Sequence, residues 1–182
     1  KKYFKIMFKK VCIIGCGLIG SSLARIIKKN NLSKKVVSSN RSKDINKKVI
    51  ELKIVDESSS DTKKMVQDSD LIIIATPLSS YNEIILKIKD YLKSGSILTD
   101  VGSVKESIIS LIEKHVPDNV SWVPSHPIAG TEDSGPESGF SQLFKNRWCI
   151  LTPSKKAKEK DINLLKKFWE KAGSKVDIMD SK

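Results

Sequence analysis

The residues of this chain best suited to chemistry lie in a loop that begins at His126. A strand-like run over residues 120–124 precedes this loop, and the residues after it are rich in Gly, Thr and Ser. In α/β proteins, ligands and catalytic groups gather at the ends of strands. An imidazole there can exchange a proton near neutral pH, so His126 is a candidate general base. The alternative is a surface loop with an incidental histidine.

A glycine motif near the start of the chain predicts a nucleotide site. Residues 11–14 form a continuous apolar run, and Gly15, Gly17 and Gly20 follow it with the spacing G-x-G-x-x-G. Leu18 and Ile19 open a helical pattern inside the motif. We expect Gly15 to permit a tight turn, Gly17 to let a pyrophosphate approach the backbone, and Gly20 to let the helix pack against the strand. The pyrophosphate would then lie at the helix N-terminus. The alternative is a glycine-rich turn without a ligand.

The end of the second predicted strand bears on the choice of cofactor. An acidic residue about 20 positions after the glycine motif would bind the ribose hydroxyls of NAD. Asn40 stands there instead, followed by Arg41 and Ser42. Without a carboxylate to repel a 2′-phosphate, and with Arg and Ser to bind one, this segment favours NADP, or use of both cofactors. The alternative is that Arg41 is simply an exposed loop residue.

Two further strand ends contribute candidate residues. Thr76 and Pro77 follow the apolar run of residues 71–75, whose exit should face the cofactor. Ser103 follows the run of residues 96–100 and stands at the predicted start of a helix. Its hydroxyl could cap that helix and also face a substrate, because the two roles are compatible.

The composition argues against nucleic acid as a partner. The formal net charge is +12, but only three of the 33 basic residues are arginine. Recognition of bases and phosphates relies heavily on arginine, and the lysines here are scattered in pairs along the chain. A solvated, lysine-rich surface that attracts anionic ligands accounts for the charge better.

Other sequence features limit location and metal chemistry. No run of apolar residues is long enough to span a membrane, and the first residues lack the apolar core of a signal peptide. The chain has three cysteines without a metal-binding spacing. We therefore expect a cytoplasmic protein with reduced thiols, without a metal and without a membrane partner.

The hydrophobic pattern alternates between strands and helices. It predicts strands near residues 10–14, 35–40, 70–75, 96–100, 119–124, 147–152 and 174–179. It predicts helices near residues 18–30, 43–53, 61–67, 79–92, 104–115 and 157–172. Such alternation is typical of the doubly wound α/β class, a mostly parallel sheet with helices on both faces.

Four segments together resemble the prephenate and arogenate dehydrogenase family of tyrosine biosynthesis, and the broad-specificity cyclohexadienyl type in particular. They are residues 15–22, 99–105, 126–136 and 139–153. The resemblance covers residues 10–180. It implies a Rossmann-type domain and an NAD(P)-dependent oxidoreductase that converts prephenate to 4-hydroxyphenylpyruvate, arogenate to tyrosine, or both, by oxidative decarboxylation.

The resemblance also implies roles for individual residues. His126 would accept the proton of the substrate's C4 hydroxyl as hydride leaves C4. Ser103 would contact that hydroxyl and orient the imidazole, and Thr131 would line the substrate pocket. Aromatisation of the ring would drive the loss of CO2, so the reaction needs no metal.

Members of this family continue into a helical domain that forms a homodimer and completes the substrate site. We therefore expect residues 1–9 to be an extension that leads into the first strand, and residues 10–180 to be the NAD(P)-binding domain alone. The chain would end near the junction with the helical domain, and it would have little activity without that domain.

Two other functions are compatible with the fold. One is a β-hydroxyacid-type dehydrogenase, which would use a lysine of a later helical domain and leave His126 without a role. The other is a dinucleotide-sensing module without catalysis, in which Ser103 and His126 would be ordinary loop residues.

Overall fold

A six-stranded parallel sheet forms the centre of the computed structural model, which describes residues 5–103 and 106–180. The strand order is β3-β2-β1-β4-β5-β6. The strands are β1 (Phe8–Ile14), β2 (Ser33–Ser39), β3 (Glu57–Ser59), β4 (Leu71–Ile74), β5 (Ile97–Asp100) and β6 (Ser121–Trp122). The strand order reverses at β1 and β4, and ligands of such sheets bind at the carboxyl ends of the strands beside this reversal.

Helices cover both faces of the sheet, as the doubly wound prediction requires. They are α1 (Leu18–Lys29), α2 (Lys43–Glu51), α3 (Thr62–Val66), α4 (Tyr81–Ile88), α5 (Glu106–His115) and α6 (Glu159–Lys171). Short 3₁₀ turns occupy Leu78–Ser80, Lys89–Tyr91 and Pro136–Ser138. The side chains of β1 alternate between two cores. Val11 and Ile13 pack with α1 and α6, whereas Cys12 and Ile14 pack with α3, α4 and α5.

A second, three-stranded sheet corrects part of the predicted strand arrangement. Its order is β7-β8-β9, with β7 (Ser125–Pro127), β8 (Trp148–Leu151) and β9 (Lys175–Ile178). We expected residues 119–124 to form one strand and β8 and β9 to extend the main sheet. Instead the chain leaves the main sheet after β6, and β7 pairs antiparallel with β8. Pro124 lies at this transition and has no N–H to continue a ladder.

One strand was missing from the sequence prediction, and the start of one predicted helix is not tested by the structure. β3 was missed because it has only three residues, all polar. The helix predicted to begin at residue 104 is described from Glu106, and its predicted start lies outside the described residues.

Within the described chain, no helix is both long and apolar enough to cross a membrane. No group of three His, Cys, Asp or Glu side chains in residues 5–103 and 106–180 is placed to hold a metal ion.

Candidate active site

The glycine loop joins β1 to α1 at the carboxyl edge of the main sheet. Its three glycines differ in the atoms that an added Cβ would meet. Gly15 has a φ of +94°, and a Cβ there would lie 2.8 Å from the carbonyl oxygen of Ala75. A Cβ at Gly20 would overlap the carbonyl oxygen of Gly15. At Gly17 a Cβ would meet nothing within 4 Å. Gly15 and Gly20 are therefore required by the fold, whereas the space at Gly17 suits the approach of a ligand.

The first turn of α1 presents its backbone to this space. Gly17 is the N-cap residue, and no side chain of the described chain caps the helix. The first turn contains no acidic residue. Leu18 and Ile19 are half-buried there and pack against the core. A helix N-terminus without a competing carboxylate is an anion-binding site, as a dinucleotide pyrophosphate needs.

Asn40 lies beneath the glycine loop and is only 5% exposed. Its side-chain oxygen accepts a hydrogen bond of 2.7 Å from the backbone N–H of Cys16. Its amide nitrogen donates to Oδ1 of Asn46 over 2.9 Å. The residue predicted to face the ribose thus has its polar atoms engaged inside the protein, where they hold the glycine loop to the end of β2.

Arg41 and Ser42, by contrast, lie at the surface beside the loop. The Arg41 side chain is 81% exposed and forms an ion pair of 3.1 Å with Glu83. The hydroxyl of Ser42 caps α2 by accepting from the N–H of Ile45 over 3.3 Å. Sequence reasoning did not identify Glu83, which is more than 40 residues away along the chain.

Thr76 and Pro77 follow β4, and their segment touches the glycine loop. A Cβ at Gly15 would lie 2.9 Å from Cγ2 of Thr76. The hydroxyl of Thr76 accepts a hydrogen bond of 2.9 Å from Ser80. The ends of β1, β2 and β4 therefore converge at one edge of the sheet, as the strand order predicts.

His126 and Ser103 line one small pocket at this carboxyl edge, together with Tyr81 and Asp100. His126 is half-buried in β7, and the buried Nδ1 of its imidazole has no hydrogen-bond partner among the described residues. Ser103 is exposed in the segment after β5. Its predicted role as a helix cap depends on residues 104–105, which lie outside the described residues.

Thr131 does not share this pocket. It is exposed, and its hydroxyl bonds with the backbone N–H and the carboxylate of Asp133. Thr131 is not among the described residues that line the pocket. The loop that carries Thr131 is tied instead to α1, because the N–H of Phe140 donates to the Ser22 hydroxyl over 3.0 Å.

A buried carboxylate, that of Asp100, also lines the pocket and was not identified from the sequence. Asp100 is 6% exposed at the end of β5. It accepts a hydrogen bond of 2.7 Å from the Tyr81 hydroxyl. Burial raises the pKa of Tyr81, and the charge of Asp100 raises it further, so the phenol remains a donor. The signal in the sequence was an acidic residue at a strand end, two positions before Gly102 and three before Ser103.

The thiols near the site are neutral. Burial raises the pKa of Cys16, and hydrogen bonds with Ser38 and Asn40 oppose the shift only in part. Burial likewise raises the pKa of Cys149, which pairs with Pro127 across β7 and β8. A buried, protonated thiol is neither a nucleophile nor a metal ligand.

Comparisons with known proteins give a consistent result. The family model described as "Prephenate dehydrogenase, nucleotide-binding domain" matches residues 23–178. The cyclohexadienyl dehydrogenase of Zymomonas mobilis is 33% identical over 175 residues, which are 96% of this chain and 59% of that protein. The prephenate dehydrogenase of Bacillus subtilis is 29% identical over 160 residues, which are 86% of this chain and 42% of that protein.

Solved structures agree with these matches. A prephenate dehydrogenase from Aquifex aeolicus in complex with hydroxyphenyl propionate and NAD+ has a TM-score of 0.86 and 29% identity, covering 99% of this chain and 62% of its own. Synechocystis arogenate dehydrogenase has a TM-score of 0.83 and 26% identity, covering 94% of this chain and 59% of its own. This chain thus spans between 42% and 59% of the two curated relatives named above.

Proposed function

The chain belongs to the family of prephenate dehydrogenase nucleotide-binding domains, and from that premise we propose that it forms the cofactor half of an enzyme that oxidatively decarboxylates prephenate, arogenate or both. The observation that carries the proposal is the shared pocket of His126 and Ser103 at the carboxyl edge of the sheet. A base and a hydroxyl at that edge can act on a substrate while the glycine loop of the same edge holds the dinucleotide.

The residues present fit a dinucleotide. The space at Gly17 and the N-terminus of α1 would receive the pyrophosphate. The segment of Thr76 and Pro77 would line the path toward the nicotinamide. When bound, the cofactor supplies the acceptor for a hydride.

His126 would perform the proton transfer. As hydride leaves ring C4 of the substrate, the C4 hydroxyl becomes acidic and its proton passes to a neutral imidazole. Ser103 would hold the same hydroxyl. The bond between the ring and its carboxylate then breaks, CO2 leaves, and the electron pair of that bond completes the aromatic ring as a phenolate at C4. The C4 oxygen takes the proton back from the imidazolium, which gives the phenol and restores the neutral imidazole.

We also propose that NADP binds at least as well as NAD. Arg41 and Ser42 are exposed directly after β2, where we expect a 2′-phosphate, and Asn40 stands in place of the acidic residue that would repel it. The ion pair between Arg41 and Glu83 is exposed and therefore contributes little stability. Arg41 can exchange the Glu83 carboxylate for a phosphate at small cost.

The direct test is an activity assay on the natural full-length protein. Prephenate and arogenate are each supplied with NAD and with NADP, and the reduced nicotinamide and released CO2 are measured together. The proposal expects equal amounts of both products with at least one substrate. A protein that binds dinucleotide but oxidises neither substrate would contradict the proposal and favour a sensing module or a different dehydrogenase.

A further inference from the structure

β5 pairs with β6 through backbone hydrogen bonds, and side chains of β5 continue the pairing where this ladder ends. The last backbone bond runs from the N–H of Val123 to the carbonyl oxygen of Leu98, over 2.9 Å. After it, the Thr99 hydroxyl donates to the carbonyl oxygen of Val123 over 2.6 Å. The N–H of Ser125 then donates to Oδ1 of Asp100 over 3.2 Å. Two β5 side chains thus bridge the gap where the chain passes from β6 to β7.

The second oxygen of Asp100 serves the other side of the pocket. Oδ2 accepts a hydrogen bond of 3.1 Å from the N–H of Gly102 as well as the bond from the Tyr81 hydroxyl. Gly102 directly precedes Ser103, and Ser125 directly precedes His126. The Asp100 carboxylate therefore binds the backbone N–H of the residue before Ser103 and of the residue before His126.

We infer that Asp100 is a positioning residue that fixes Ser103 and His126 relative to each other by binding the residue before each. The inference rests on the proposed function, in which Ser103 and His126 act on the same substrate hydroxyl. Misplacing a reacting group by about 1 Å can cost on the order of a hundredfold in rate. A carboxylate can accept all three hydrogen bonds, whereas the single oxygen of an asparagine serves only one side and its NH₂ group faces donors on the other.

The fold around β7 does not depend on Asp100 alone. The Ser125 hydroxyl also bonds to the Thr99 hydroxyl over 2.7 Å and accepts from the indole N–H of Trp169 over 3.2 Å. Trp169 is fully buried in the core. We therefore expect Asp100→Asn to loosen the backbone at Gly102 and Ser125 while the rest of the sheet remains intact.

Asp161 offers a matched control. It is also 6% exposed, and it accepts a hydrogen bond of 2.6 Å from the hydroxyl of Ser121, but it lies with the residues at the amino ends of the strands. In the natural full-length protein, Asp100→Asn should lower kcat by about 10- to 100-fold and leave the cofactor Kd within about twofold. Asp161→Asn should leave kcat within about twofold.

A double variant that carries both Asp100→Asn and His126→Asn distinguishes a positioning role of Asp100 from a general loss of structure. If Asp100 acts through the imidazole, Asp100→Asn should cost far less in the His126→Asn background than in the wild type. Full additivity, or an equal loss from Asp161→Asn, would overturn the inference. An inactive wild type would instead refute the proposed function.

A measurement without turnover tests the contacts themselves. Amide hydrogen exchange of the wild type should show Gly102, a loop residue, protected together with Ser125, and Asp100→Asn should release at least one of them. Rapid exchange at Gly102 in the wild type would refute the inference, whether or not the variant folds.

Discussion

The side chain of Asn40 holds the middle of the glycine loop, because its oxygen accepts a hydrogen bond of 2.7 Å from the N–H of Cys16. Cys16 lies between Gly15, which the fold requires, and Gly17, which faces open space. The end of β2 therefore shapes the surface that a dinucleotide would contact, without any need for Asn40 to touch the ligand itself.

Asn40→Ala should weaken NAD and NADP about equally. The substitution leaves the buried N–H of Cys16 without its acceptor and removes one of the two donors to Oδ1 of Asn46. We expect the loosened loop to cost about 1–3 kcal/mol of binding free energy for either cofactor. Titration calorimetry with both cofactors measures the effect. Loss of NADP affinity alone would show that Asn40 contacts the 2′-phosphate directly.

Arg41→Ala should behave differently and weaken NADP selectively, by about 1–3 kcal/mol, because only the 2′-phosphate gains from the guanidinium. Glu83→Gln is the converse variant. It removes the carboxylate that pairs with Arg41 and should strengthen NADP binding slightly while leaving NAD unchanged. A preference for NAD that neither variant alters would refute the proposed role of this segment.

Gly17→Val should abolish cofactor binding without unfolding the protein. Its Cβ enters space that is open in the structure, where the pyrophosphate would lie. Gly20→Ala is the matched contrast. It should lower the melting temperature, because its Cβ overlaps the carbonyl oxygen of Gly15. Unchanged calorimetric affinity in Gly17→Val would remove the nucleotide site from this loop.

The centre of the main sheet could be predicted from the sequence because β1 and β4 are apolar runs with glycine or turn signals after them, whereas the polar β3 was missed. Residues 71–74 of β4 are all buried, and such a run fits only a strand covered on both faces. The exits of these strands could therefore be assigned to one edge, where Gly17, Ser103 and His126 were expected and are found.

The remaining features depend on contacts between distant residues. β8 and β9 look like further strands of the main sheet, since local pattern does not specify a pairing partner. The inward side chain of Asn40 and the bonds that Asp100 accepts from Tyr81 and Ser125 depend on residues up to 25 positions away. Both positions were visible as polar residues at strand ends, but only the structure shows which groups they bind.

Turnover of the His126→Asn variant of the natural full-length protein shows whether His126 acts as a base on the substrate. Asparagine keeps a polar side chain but cannot take up the proton, so kcat on prephenate and arogenate should fall by about two to four orders of magnitude. The Kd for the cofactor should remain near its wild-type value, because the imidazole acts on the substrate hydroxyl. Wild-type turnover on either substrate in this variant would show that His126 is not the base.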